Sequence, residues 1–219
     1  MRRGVLGGTF DPIHLGHLDV ARAARSALTL DSVMLMPSNL PPHRTAPHAS
    51  ARDRLAMVQL ATEGDTTLVP SDLELHADGP SYTNTTLDRL AASGVDLMSV
   101  FFITGADAFR DLPSWRNYPA ILDRCHFVAV SRPGCPAGAL RQLLPGIAPR
   151  MVDARDVEPS HPSIILVDAP TAPVSSTEIR QRLASGRSID GLVPPAVASY
   201  IERYGLYRTP HSKETNGQS

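Results

Sequence analysis

The stretch G-G-T-F-D-P-I-H-L-G-H at residues 7–17 decides how the rest of the chain is read. It follows R-G-V-L-G at 3–7, an apolar run of strand length that runs straight into glycines. Gly8, Asp11 and Pro12 then punctuate a turn-rich loop. From about 15 to 29 the apolar residues Leu18, Ala21, Ala24 and Leu28 recur at helical spacing. The unit is therefore strand, loop, helix. The paired glycines let backbone amides approach a ligand closely. The helix that follows offers unpaired N–H groups and the positive end of its dipole, a combination that favours phosphate. His14 and His17 are three apart and can face one side, and Gly16 between them leaves room for a bulky ligand. A pair of solvated histidines on a helix cap is the plain alternative, and the glycines and the position after a first strand argue against it. The loop is neither G-x-x-x-x-G-K-[ST] nor G-x-G-x-x-G. A zinc site built on the two histidines would need a third ligand, and no Cys or His lies at the usual spacing.

Working outward, the same alternation continues. Val33 to Met36 is a second strand. A Pro-rich basic loop fills 37–49, and Ser50 caps a helix over 51–63 with Leu55, Val58 and Ala61 inward. A third strand is expected near 66–70, extending toward Leu75, followed by a helix over about 82–93. L-M-S-V-F-F-I-T at 97–104 reads as a central buried strand. A helix is expected near 117–124, strands at 126–131 and 164–168, and helices near 176–185 and 194–204. The Pro- and Gly-rich stretch 133–163 has no clear assignment. Strands alternating with helices predict an α/β fold, a single doubly wound, Rossmann-like parallel sheet with helices on both faces. One domain over 1–208 is expected, with a polar, disordered tail at 209–219. In such sheets ligands bind beyond the carboxyl ends of the strands, where strand order reverses.

Composition narrows the function. The chain has 219 residues, 42% hydrophobic and 20% charged, which is globular. The formal net charge of −1 gives no global pull toward nucleic acid or an anionic membrane, so any polyanion must meet a local basic site. No apolar run approaches the ~18 residues of a membrane span. No signal peptide is recognisable, because Thr9, Asp11 and Pro12 interrupt any apolar core. Cys125 and Cys135 read as free thiols. A cytoplasmic protein is expected.

H-L-G-H at 14–17 and V-S-S-T-E-I-R at 174–180 resemble the two signatures of the H-x-G-H nucleotidyltransferase superfamily. Within it, the chain is similar to the bacterial nicotinate mononucleotide adenylyltransferases. The supporting pieces are P-P-H-R at 41–44, S-Y-T-N-T-T-L at 81–87, F-I-T-G-A-D-A at 102–108, Trp115, S-R-P-G at 131–134 and L-V-P-P-A-V-A-S-Y-I at 192–201. Arg44 departs from the Lys more common at that position. The resemblance implies attack by the 5′-phosphate of nicotinate mononucleotide on the α-phosphate of ATP, giving deamido-NAD and pyrophosphate. It implies Mg2+ carried with the ATP. On this reading Gly7, Gly8, Thr9 and Phe10 give backbone contacts to phosphates, and His14, His17 and Arg180 are the catalytic set, with His17 at the α-phosphate. Ser175 and Ser176 cap the last-but-one helix toward the triphosphate. His43 and Arg44 lie on a loop that could fold over the leaving pyrophosphate. Tyr82, Thr83, Asp107, Trp115 and Arg132 form the mononucleotide set. Trp115 is the only tryptophan and sits in the polar context P-S-W-R-N-Y, which suits a flat ring stacked on a cationic pyridinium. Asp107 and Arg132 each follow a strand. Tyr82 and Thr83, at a helix start, could offer N–H groups to the nicotinate carboxylate. A relative acting on pantetheine phosphate or a flavin precursor would share H-x-G-H but not Trp115 in this setting. A non-catalytic nucleotide sensor would be expected to have lost a histidine or Arg180.

Overall fold

Each apolar run marked above becomes a strand of one sheet. The computed structural model describes residues 1–40, 46–76, 79–158 and 160–208. The strands are β1 (Arg3–Gly8), β2 (Ser32–Pro37), β3 (Leu68–Pro70), β4 (Val100–Gly105), β5 (His126–Val130), β6 (Met151–Asp153) and β7 (Ile164–Val167). They pair in the order β3-β2-β1-β4-β5-β7-β6, and every pairing is parallel. The chain runs outward from β1 to β3, then returns to the other side of β1 to lay down β4. Strand order therefore reverses between β1 and β4, and the loops after these two strands diverge to open a crevice. β1 and β4 are in register from Arg3 opposite Val100 to Leu6 opposite Ile103, so Gly7–Gly8 and Thr104–Gly105 end side by side.

Helices cover both faces, which explains why the central strands are apolar throughout rather than alternating. One face packs α1 (Leu15–Leu28), α2 (Ala51–Thr62), α6 (Ser176–Ala184) and α7 (Pro195–Arg203). Its core joins Leu6, Leu35, Ile103 and Val128 to Leu18, Val58, Ile179 and Ile201. The other face packs α3 (Thr83–Ala92) and two single turns, α4 (Ala106–Phe109) and α5 (Leu140–Leu143). There Phe102, Phe127 and Ile164 meet Leu87, Phe109 and Leu140. Gly4 is required by this packing: a Cβ on it would lie 2.8 Å from Ile103 and 2.9 Å from Val33.

Several expectations are corrected. β3 stops at Pro70, and 73–76 form turns, because an edge strand ending in proline has no further ladder to extend. Residues 97–99 are a 3-10 turn capped by Asp96, and the strand proper begins at Val100. The expected helix at 117–124 is a 3-10 segment over 120–123, following another at 112–114. The unassigned stretch after 133 holds short 3-10 turns, α5 and the edge strand β6. On α2, Leu55 is only half-buried, whereas Arg54 is fully buried beside Met57 and Val58. Ser50 caps α2 as read, its hydroxyl accepting from the Asp53 N–H at 3.1 Å. Cys125 and Cys135 are free thiols, and burial pushes the Cys125 thiol up to about 12. No helix among the described residues is long and apolar enough to cross a membrane. The tail at 209–219 lies outside the described residues.

Candidate active site

The crevice between β1 and β4 is a cleft of about 450 Å³. Its floor is Gly7, Gly8 and Thr9 on one side and Thr104 and Gly105 on the other. His14, His17, Arg132, Ser175, Ser176, Thr177 and Arg180 line its walls. Asp107 and His48 stand at the rim.

The loop from β1 to α1 is shaped by Phe10. Its backbone sits in the left-handed region (φ +48), and its ring is buried edge-on to His17 at 5.0 Å. A Cβ on Gly8 would lie 3.0 Å from that ring, so the glycine is what lets Phe10 tuck under the loop. A non-glycine residue held there costs about 1–3 kcal/mol, and the buried ring offsets it. Phe10 therefore anchors the loop with its side chain.

His14 caps α1 and is 2% exposed, which removes the reading of two solvated histidines. Its ring stacks on His17 with centroids 3.7 Å apart. Burial first, and the Arg132 charge second, lower its pKa from 6.5 to about 3, so His14 is neutral at physiological pH. The His14 backbone N–H donates to His17 Nδ1 at 3.3 Å. A neutral His17 ring that accepts at Nδ1 carries its proton on Nε2, which makes His17 a directed N–H donor.

The space above Gly16 is not left for a ligand. Arg132 occupies it: a Cβ there would lie 2.6 Å from the guanidinium. Arg132 donates to the Gly16 carbonyl at 3.2 Å and the Val174 carbonyl at 3.0 Å, tying α1 to the segment before α6. Ser175 caps α6, accepting from the Glu178 N–H at 3.1 Å. Ser176 is already the first helical residue, and its hydroxyl donates to the Pro12 carbonyl at 2.9 Å instead of capping. Arg180 donates to the Asp11 carbonyl at 2.7 Å and keeps its charge toward the cleft.

Two residues beyond those singled out in the sequence hold this cleft together. The buried Asp11 carboxylate accepts from the backbone N–H groups of His48 (2.7 Å) and Ala49 (3.0 Å) and from the Tyr207 hydroxyl (2.7 Å). Burial and that carboxylate push the Tyr207 phenol up. The second is Arg54, 1% exposed, whose guanidinium donates to the carbonyls of Thr9 (2.8 Å), Ser38 (2.7 Å) and Asn39 (3.3 Å). It stitches the loops after β1 and β2 together. Asp11 reads in the sequence as loop punctuation and Arg54 draws no reading there; neither local pattern signals a tertiary partner.

Two further pockets flank the cleft. One, of about 240 Å³, shares Gly7, Gly8, Thr9, Thr104 and Ala108 with it and continues to Tyr82, Thr83, Glu74 and Trp115. Trp115 is half-buried, its edge contacts reaching Phe102, Phe109 and Phe127 at 6.3–6.5 Å between centroids. It is both anchored in the core and exposed in the pocket. The Arg116 guanidinium lies 5.1 Å over the Tyr82 ring. The other pocket, of about 460 Å³, shares Arg132 with the cleft and is lined by Ser131, Gly134, Asp168 and Thr171. Asp107 and Arg132, grouped in the sequence with the mononucleotide set, thus line the central cleft and not the Trp115 pocket. Asp107 is in the first turn of α4, which Gly105 caps. His43 and Arg44 lie outside the described residues.

The cytidylyltransferase-like family matches residues 5–182. A Pseudomonas fluorescens protein described as "Probable nicotinate-nucleotide adenylyltransferase" is 44% identical over 96% of this chain and 99% of its own. A Roseiflexus protein with the same description is 42% identical over 94% of this chain and 97% of its own. In fold, the chain is similar to Plasmodium falciparum nicotinic acid mononucleotide adenylyltransferase complexed with NaAD, with a TM-score of 0.70, 17% identity and coverage of 94% and 97% of the two chains. The chain belongs to the cytidylyltransferase-like family and, within it, to the nicotinate-nucleotide adenylyltransferases.

Proposed function

We propose that the chain transfers the adenylyl group of ATP to the 5′-phosphate of nicotinate mononucleotide, releasing pyrophosphate and forming nicotinate adenine dinucleotide for NAD biosynthesis. The observation that carries this reading is the three-part cavity. A central cleft lined with phosphate-binding groups continues on one side into a pocket with an exposed tryptophan face and on the other into the pocket beyond Arg132. A dinucleotide has that form, with two flat rings flanking a row of phosphates. The pyridine ring takes the Trp115 pocket, where stacking and cation–π attraction both act on a cationic ring. The adenine takes the pocket between Arg132 and Thr171.

The chemistry asks little of the protein beyond alignment. The mononucleotide phosphate is ionised near neutral pH and needs no general base. One of its oxygens forms a bond to the α-phosphorus, the bond from that phosphorus to the bridging oxygen breaks, and the electron pair leaves with pyrophosphate. His17, as an Nε2–H donor, meets charge on the α-phosphoryl oxygens, and neutral His14 holds His17 by stacking and through its backbone N–H. Arg180 and the N-terminus of α6 receive the β- and γ-phosphates. Magnesium fits as a companion of the triphosphate. Among the described residues no three His, Cys, Asp or Glu side chains could hold it, and Asp107 is the exposed carboxylate in the cleft. When bound, it would add charge neutralisation on phosphate oxygens, which with water would supply most of its ligands. A cytoplasmic setting, where both substrates are available, accords with this chemistry. The deciding assay mixes ATP, magnesium and nicotinate mononucleotide and follows pyrophosphate. Binding of both substrates without pyrophosphate release would leave a nucleotide sensor instead.

A further inference from the structure

The pocket proposed for the pyridine ring contains a carboxyl group of its own. Glu74 is 5% exposed and lines that pocket beside Tyr82, Thr83 and Trp115. An ionised carboxylate there would oppose the substrate carboxylate that the same pocket is to receive. Among the described residues, no arginine, lysine or histidine lies within ion-pairing distance of it. Its hydrogen-bond partner is a hydroxyl: Glu74 meets the buried Thr86 hydroxyl. Thr86 Oγ1 in addition lies 3.2 Å from the Tyr82 carbonyl, while Ser81 Oγ accepts the Asn39 N–H at 2.9 Å.

These contacts count protons. Two hydrogen bonds, Glu74 to Thr86 and Thr86 to the Tyr82 carbonyl, need two protons. The Thr86 hydroxyl supplies one. Both bonds exist together only when the carboxyl supplies the other, donating to Thr86 Oγ1 so that Thr86 can donate to Tyr82. We propose that Glu74 is a specificity-determining residue, standing in the pyridine pocket as the neutral acid and so leaving the start of α3 free to accept the substrate carboxylate. Desolvation raises the Glu74 pKa, in the same direction. The relay ends on the carbonyl of Tyr82, the residue that caps α3, so the acid also fixes the turn that lines the pocket.

The charged groups around Glu74 leave it dominant there. Arg89 of α3 acts on it at longer range. Arg116 lines the pocket from the far side, over Tyr82. Asp72 and His76, on the same turn as Glu74, pair with each other at 2.9 Å in solvent. The β1 and β4 segments that line the pocket bring Gly7, Gly8, Thr9, Phe102 and Thr104, none of them charged. Above its raised pKa Glu74 becomes an anion facing the substrate carboxylate; below it the pocket is free of that charge.

This inference rests on the proposed adenylyl transfer, and the test separates the two. Dissociation constants for nicotinate mononucleotide and for nicotinamide mononucleotide are measured by calorimetry across the whole pH range in which the protein stays folded. The two ligands share the phosphate, so their ratio isolates the carboxylate. The preference for the acid is expected to fall about tenfold as pH rises in the wild type and to be independent of pH in Glu74→Gln, whose amide can donate to Thr86. A flat ratio in the wild type, or the same decline in Glu74→Gln, overturns the proposal. Should Glu74→Gln not fold, Thr86→Val removes the oxygen that takes the acid's proton and is expected to move the midpoint of the decline; an unmoved midpoint overturns it. Absence of pyrophosphate release in the wild type would instead overturn the adenylyl-transfer reading.

Discussion

His14 and His17 are three residues apart, yet their environments assign them different tasks. His14 is sealed in and neutral, a fixed platform for the second ring. His17 is half-buried and has its tautomer set by a backbone N–H. Replacing His17 with alanine should lower kcat by about a hundredfold or more while the KM values change little, because a donor aimed at developing charge acts in the transition state. Steady-state kinetics at saturating substrate check this; near-normal turnover would take His17 out of the reaction. Trp115→Ala should raise the KM for nicotinate mononucleotide about tenfold and leave that for ATP nearly unchanged, since Trp115 lines the pocket proposed for the pyridine ring and not the central cleft. Equal effects on both substrates would assign the ring to core packing with Phe109 and Phe127 alone. At this scale the sequence singled out the histidines and Arg180 through the two family signatures, and Trp115 as the only tryptophan, set in a polar stretch. It could not identify Asp11, Arg54 or Glu74. Their partners lie in other loops, and burial of a charged side chain leaves no trace in its own neighbours.

Among the elements, α6 links fold to site most directly. Ser175 caps it, Ser176 ties it to Pro12, and Arg180 ties it to Asp11, so its N-terminus is closed by one bond and aimed by two. Ser175→Ala removes the cap and should cost about 1 kcal/mol of stability, with a rise in the KM for ATP and none for the mononucleotide. Urea titration together with substrate kinetics tests both halves; an unchanged KM for ATP would separate the helix from the triphosphate. The long helices and the five longer strands were legible in the sequence, since an apolar run or period marks each, and Ser50 and Ser175 add caps to two of the helices. The 3-10 turns at 112–114 and 120–123 were not, because proline-rich segments close short i to i+3 bonds with no apolar period. Nor was β6: three residues at a sheet edge are too few to show alternation.

For the molecule as a whole, acid is the sensitive direction. His14 is held neutral in the folded state with a pKa of about 3, against 6.5 when the chain is unfolded. Between these values the unfolded chain binds a proton that the native state refuses. Its contribution is therefore complete above pH 6.5 and is lost as pH falls toward 3. Melting temperature followed down this range should drop more steeply for the wild type than for His14→Gln, which has no proton to take up at that position. Parallel curves would mean that other groups govern acid unfolding.

The bond between Asp11 and Tyr207 joins residues 196 positions apart. On a ribosome adding about 5–20 residues per second, Asp11 waits roughly ten to forty seconds for the tyrosine to be made. During synthesis the loop after the first strand can close on the second and third strands but not on its last partner. The earliest segment of the enzyme to emerge is thus the last to be completed, and a growing chain passes most of its synthesis without a finished phosphate cleft.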